Sequence, residues 1–257
     1  MAVIETNNTI KEFHVHQSGF PFINIEVIQN FINEDEEAML IEDIDKQPWV
    51  LSQSGRRKQD YGPKVNFKRQ KVQIGEFSGL PAYSKFLITR YNDLIKEKST
   101  SLHHPEFLPV ELCNLEYKSD RGACIVPHYD DSWLWGNRLV TVNLSGDTYL
   151  TFTLPTNDIV DGISHELKRI QSYVPNISRG SFCVRVPLNR RSLVVVSGPA
   201  RYIWQHEIRS SDIPTRRIAM TFRELSSIFS PGSNNMTDEQ TFGKKLLEIA
   251  SMYRPYI

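Results

Sequence analysis

From Phe107 onward the apolar residues of this chain fall into short β-type runs separated by turn residues, over 110–117, 123–126, 139–144, 149–154, 182–186, 192–196, 202–208 and 217–222. Eight runs of this length and spacing predict a closed or two-sheet β architecture with helices packed outside it. Helical periodicity is confined to the flanks. Asn33 is a good N-cap with Glu36 at the capping-box position, and Ala38, Met39, Ile41 and Ile44 offer an apolar face through about Lys46. A second helix is predicted over 81–96, where Tyr83, Phe86, Leu87, Tyr91 and Leu94 recur at helical spacing. Thr237 and Gln240 form a capping box for a terminal helix bearing Phe242, Leu246, Leu247, Ile249 and Tyr253. Residues 1–20 read as a polar arm or first strand and 157–181 as an insertion loop, with His14, His16 and His165 assigned to the surface.

The stretch 49–73 departs from this pattern. Turn chemistry at Tyr61-Gly62-Pro63 divides it into two extended arms. Seven cations (Arg56, Arg57, Lys58, Lys64, Lys68, Arg69 and Lys71) stand against the single acid Asp60, with Tyr61 and Phe67 interleaved. Exposed cations beside aromatic faces suit a polyanion-facing flap. A solvated hairpin with ordinary cross-strand partners accounts for the charge equally well.

Composition narrows the rest. Lys+Arg and Asp+Glu are both 30 in 257 residues, so no global field draws the chain to nucleic acid or acidic membrane. Cys113, Cys124 and Cys183 are odd in number and lack CxxC spacing, which argues for buried reduced thiols and against a cysteine zinc site. With no long apolar run and no hydrophobic leader core, a location in cytoplasm and nucleus, with no membrane partner, is the expectation.

The candidate chemistry begins at His128 and Asp130. In extended chain, residues i and i+2 project to one side, so this pair supplies two of the three ligands of a 2-His-1-carboxylate facial triad. His206 lies downstream in a strand pattern and is the candidate third ligand. If 209–214 form a hairpin loop, His206 faces Arg217 across an antiparallel pair and the two line one pocket. Arg217 and Arg223 share a strand face. Six residues span about 20 Å, so two inward-leaning guanidiniums leave a gap that suits a five-carbon diacid held by carboxylate forks. Arg217, Ala219, Thr221 and Arg223 then form one small polar face.

Together His128-Tyr-Asp130, His206, Arg217-x5-Arg223 and the preceding Tyr117 resemble the AlkB-type iron(II)/2-oxoglutarate dioxygenases. RRKQDYGPKVNF, NLEY, PHYDDSWLWG and TFRELS resemble the AlkB homologue four branch. The resemblance implies an α+β, mainly β fold: a double-stranded β-helix (jelly-roll) core with flanking helices and an N-terminal lid hairpin. It implies one structural domain, with an arm over 1–20, N-terminal helices and the lid over 21–106, and the catalytic core with its C-terminal helix over 107–257. Implied site residues are His128, Asp130 and His206 for Fe(II), and Tyr117, Arg217 and Arg223 for 2-oxoglutarate, with O2 as cosubstrate. The AlkB prototype has asparagines where Leu115 and Ala219 stand here, so Asn143 or Thr221 is expected to contribute to cosubstrate binding instead. Ser132 replaces an acidic residue that touches the target base in the prototype. Arg56, Arg57, Lys58, Tyr61, Ser132 and Trp133 are the candidate substrate-facing residues, with Trp133 and Trp135 able to wall a pocket or simply to plug the core. The implied reaction is oxidative N-demethylation yielding formaldehyde and succinate. Its implied substrates are N6-methyladenine in DNA and monomethyl-lysine on actin or actomyosin proteins, with the enzyme a monomer. A carbon hydroxylase and a catalytically silent binder of 2-oxoglutarate or a partner stay open as alternatives.

Overall fold

The computed structural model describes residues 10–14, 22–98, 105–157, 160–232 and 235–255. His16 and most of the expected arm lie outside the described residues. The N-terminal half contains β1 (Lys11–His14), β2 (Ile25–Ile28), α1 (Glu34–Asp45), β3 (Val50–Leu51), β4 (Arg57–Tyr61), β5 (Lys64–Asn66), β6 (Lys71–Gln73) and α2 (Lys85–Lys98). There follow β7 (Pro109–Tyr117), β8 (Ile125–His128), β9 (Trp135–Ser145), β10 (Thr148–Thr153), α3 (Ile163–Gln171), β11 (Phe182–Leu188) and β12 (Ser192–Val196). The chain closes with α4 (Gly198–Tyr202), β13 (Gln205–Ile208), β14 (Arg217–Leu225) and α5 (Asp238–Ala250).

Two sheets face each other. One runs β1-β11-β10-β13-β8 and the other β2-β12-β9-β14-β7-β4-β3. From β7 to β14 the chain crosses between them at every step but one, β10 and β11 being neighbours in the first sheet. This winding makes the double-stranded β-helix, and its eight strands correspond in order to the eight apolar runs of the sequence. β1 extends one sheet, while β2 and the β3–β4 pair extend the other.

Strand parity explains why those runs are nearly continuous. On β7 and β14, Val110, Leu112, Ile218, Met220 and Phe222 point outward into a core shared with Leu40 and Ile44 of α1, Leu87, Ile88 and Tyr91 of α2, and Leu246 of α5. Cys113, Leu115 and Tyr117 point inward, into a second core between the sheets with Phe152, Val184 and Val194. A sheet covered on both faces has no polar side to alternate with.

Several boundaries differ from expectation. The capping boxes of α1 and α5 are both formed, but α1 buries Glu37, Leu40 and Ile44 while Met39 is exposed. Glu37 goes under because Arg190 and Arg191 meet its carboxylate. The supposed insertion loop contains α3, whose Ile163, Glu166 and Ile170 are buried at helical spacing; Glu166 accepts a 2.9 Å hydrogen bond from the Trp204 indole. His165 is exposed on that helix. Residues 202–208 are not one strand, because Pro199 sits in the first turn of the short helix α4 before β13 begins. The stretch 49–73 is not a single hairpin. Its first part, β3–β4, is the edge of the larger sheet, and only β5–β6 stands apart as a two-stranded ribbon. Among the described residues no helix is long and apolar enough to cross a membrane.

Candidate active site

Between the sheets lies a cavity of about 90 Å³. Strand β8 ends on His128 and the chain turns, so Asp130 follows at the mouth of the same sheet. His206, on β13, is the direct cross-strand partner of His128, and the two rings lie 4.4 Å apart between centroids. The Nε2 of His206 is 3.9 Å from Asp130 Oδ2. Nδ1 of His128 meets the Val126 carbonyl at 2.9 Å, leaving Nε2 as that ring's open nitrogen.

Arg217 and Arg223 reach the cavity from the opposite wall. The expected hairpin is therefore absent: β13 and β14 belong to different sheets, and residues 209–216 cross from one to the other. Sequence periodicity reports which face a residue takes, not which sheet carries it, so the pocket is shared for a different reason. Arg223 donates to Asp130 Oδ1 at 3.0 Å and to Glu111 Oε2 at 2.7 Å. Arg217 donates through Nε to Asn143 Oδ1 at 2.8 Å and lies 4.6 Å from the centre of the Tyr117 ring. Its Nη1 is buried without a hydrogen-bond partner.

Burial pushes the Asp130 carboxyl up, but the Arg223 guanidinium, both imidazoles and Arg201 more than offset it and hold the group well below the usual carboxylate range. Burial also lowers His206, to about 4, against the opposing pull of Asp130. At neutral pH the set is thus an ionised carboxylate beside a neutral imidazole, the protonation state a divalent cation requires. Among the described residues no three His, Cys, Asp or Glu side chains already stand at metal-ligand spacing. An ion there would be held by His128, Asp130 and His206, and would draw His206 and Asp130 closer than their present 3.9 Å. The donor types and their shared cavity fit such an ion.

Other candidates fall elsewhere. Thr221 lines the cavity and bonds Thr141 at 3.0 Å. Asn143 does not line it: its amide donates to the carbonyls of Gly146, Leu188 and Asn189, and its oxygen holds Arg217 from behind. Arg56 lines the cavity, whereas Arg57 turns to the opposite face of its sheet and forks onto buried Glu116. Lys58 is paired with Asp60. Tyr61 borders a separate groove between the β5–β6 ribbon and the sheet edge. Ser132 is exposed. Trp133 packs edge-on against Phe229 at 5.1 Å, and Trp135 is buried in the outer core with its ring 6.3 Å from Phe67. Neither indole borders the cavity.

Sequence reasoning passed over Arg201, which is 1% exposed. It donates to the carbonyls of Gly136 at 2.7 Å, Asp131 at 2.8 Å, Trp135 at 3.0 Å and Asp130 at 3.3 Å. One guanidinium thus cradles the loop that begins at Asp130. A lone arginine within the apolar run GPARYIW was the available clue.

No protein-family model matches the chain. The alpha-ketoglutarate-dependent dioxygenase alkB homolog 4 of Homo sapiens is 41% identical over 246 residues, covering 92% of this chain and 77% of that protein. A Caenorhabditis elegans protein named DNA N6-methyl adenine demethylase is 34% identical over 229 residues, covering 89% of this chain and 68% of that protein. The solved structure of OsALKBH1 covers 78% of this chain and 98% of its own at 15% identity and a TM-score of 0.49; a likeness this loose carries no argument, and the jelly-roll rests on the strand order. The chain belongs to the AlkB-type alpha-ketoglutarate-dependent dioxygenases, in the alkB homolog 4 branch, a family that uses Fe(II), 2-oxoglutarate and O2.

Proposed function

We propose that this dioxygenase is an oxidative N-demethylase whose substrate is N6-methyladenine in DNA. The observation that carries the site assignment is a single cavity with three metal-type donors on one wall and a buried, unpartnered guanidinium nitrogen on the other. In this reading His128, Asp130 and His206 hold Fe(II). The Arg217 guanidinium, backed by Asn143 and stacked on Tyr117, takes the far carboxylate of 2-oxoglutarate through its unpartnered nitrogen. Arg223 fixes the orientation of Asp130 and keeps it ionised, and Glu111 on its other side keeps that guanidinium in place. Fe(II) with 2-oxoglutarate and O2 supplies the oxidant for the methyl group, which leaves as formaldehyde. The apolar wall of Leu115, Leu139, Val194 and Val196 keeps bulk water out of the cavity.

Two observations support DNA. The relative named a DNA N6-methyl adenine demethylase matches along most of the chain. Lys64, Lys68, Arg69 and Lys71 of the ribbon are all exposed, none is in an ion pair among the described residues, and Phe67 at its tip is 45% exposed. Such a surface suits a phosphate backbone with a base-stacking aromatic. The direct test is mass spectrometry of a methylated single-stranded oligonucleotide and a monomethyl-lysine actin peptide incubated side by side. Loss of the adenine methyl with stoichiometric formaldehyde and succinate is expected. Demethylation of the peptide alone would transfer the activity to protein, and succinate without formaldehyde would indicate carbon hydroxylation.

Changing Lys64, Lys68, Arg69 and Lys71 to Gln together should weaken DNA binding and flatten its dependence on log salt by about 3, at about 0.7 per lost phosphate contact on a single strand. Arg57 and Lys58 already have carboxylate partners, so neutralising them should leave that slope nearly unchanged. An unaltered slope in the fourfold variant would remove the ribbon from the DNA path.

A further inference from the structure

On the outer face of the seven-stranded sheet, away from the cavity, a fully buried carboxylate gathers three arginines. Glu116 of β7 is 0% exposed. Arg57 of β4 forks onto it at 2.6 and 2.7 Å, Arg121 from the turn after β7 meets it at 2.7 Å, and Arg216, immediately before β14, meets it at 2.7 Å. Arg216 also forks onto Asp45 at the end of α1 at 2.6 and 2.7 Å, and Arg121 donates to the Gly55 carbonyl at 3.0 Å. Burial raises the Glu116 carboxyl, yet the three guanidiniums outweigh it and bring it down to about 2. The cluster is therefore ionised across the physiological range.

Three members of this hub have a chain neighbour in the cavity. Arg57 is followed backwards by Arg56, Glu116 forwards by Tyr117 and Arg216 forwards by Arg217, and all three neighbours line one end of the cavity. Arg56 and Arg217 both interact with the Tyr117 side chain. Consecutive strand residues point to opposite faces, so the outer hub and the inner trio are two sides of the same backbone segments. On the inner side, among the described residues, Arg217 is held by the Asn143 oxygen and the Tyr117 ring.

We infer that the Glu116 hub is a positioning device that locks the ends of β4, β7 and β14 so that Arg56, Tyr117 and Arg217 converge on the far carboxylate of 2-oxoglutarate. The inference rests on the assignment of that cavity end to the cosubstrate. Glu116 touches no substrate; it acts through the backbone of its three partners, and a displacement of about 1 Å at a positioned group can cost about a hundredfold.

The test compares Glu116→Gln and Arg121→Gln with wild type and with Arg217→Lys. Calorimetric binding of 2-oxoglutarate to the manganese(II)-loaded, oxygen-free proteins is the first readout, and the KM and kcat split for 2-oxoglutarate turnover is the second. Glu116→Gln keeps the side chain's shape and one acceptor oxygen, and should weaken 2-oxoglutarate about tenfold with kcat at saturation within about twofold of wild type, and with the KM for the methylated substrate unmoved. Arg121→Gln, which leaves two of the three arginines, should move in the same direction by less. If Glu116→Gln fails to fold, Arg121→Gln alone decides between weakened and wild-type affinity. Wild-type affinity in a folded hub variant, alongside weakened Arg217→Lys, overturns the hub. Wild-type affinity in Arg217→Lys overturns the cavity assignment itself.

Discussion

Asp130→Ala and His206→Ala should each abolish succinate formation while leaving the protein folded. On the proposed reading each substitution removes one of the three protein donors, and a bound metal supplies several kcal/mol of catalysis; at 1.36 kcal/mol per decade, turnover should fall about a thousandfold or more. Folding should survive because neither residue is an apolar core anchor, with Asp130→Ala the less stable of the two because it gives up the net stabilisation that the ionised carboxylate draws from Arg223. The two variants differ in one respect. Losing Asp130 leaves Arg223 with Glu111 alone, so Asp130→Ala should also disturb the Arg223 end of the cavity, whereas His206→Ala leaves the Arg223 pairs in place. Circular dichroism and a coupled succinate assay check both. Turnover above about a tenth of wild type in either variant would discard the ligand assignment.

Arg201→Met should be the most destabilising single change outside the apolar cores. Methionine preserves the apolar stem but strips four carbonyls of a shared donor, and each buried acceptor left short costs about 1–3 kcal/mol. Allowing for rearrangement, a loss of about 3 kcal/mol is expected, which in a chain of this size lowers Tm by about 6–12 °C. Arg201→Lys should rescue little, because an ammonium cannot present the planar fork that reaches four carbonyls at once. Activity should fall further than stability alone explains, since the loop being held begins at Asp130. A Tm within about 2 °C of wild type for Arg201→Met would show that the loop carries itself.

How far the sequence foretold this depends on which kind of order is asked about. The eight core strands could be read because most of them are buried on both faces and so write themselves as apolar runs. The caps at Asn33 and Thr237 could be read because they are local hydrogen-bond chemistry. The cavity residues His128, Asp130, His206, Arg217 and Arg223 could be singled out from residue type and parity, and the structure brings them together. Partnership between elements was not legible. The hairpin expected between His206 and Arg217 failed because RSSDIPT serves equally as a tight turn or as a crossing between sheets. The basic stretch at 49–73 concealed a division of labour, with Arg57 committed to an interior carboxylate and the ribbon lysines left free for solvent. Glu116 gave no warning at all, since a glutamate between Leu115 and Tyr117 looks like an ordinary exposed position of a half-buried strand.

The crossing at residues 209–216 has a geometric consequence. On the proposed reading, the two histidine donors hang from one wall and the Arg217 anchor from the other, so no loop sets the distance between them. That distance is the gap between packed sheets, about 10 Å throughout β proteins, shortened by the inward reach of the side chains. The fold thus works as a gauge for chain length: a diacid one carbon shorter or longer must strain the whole sandwich, not a single flexible segment, to meet both ends.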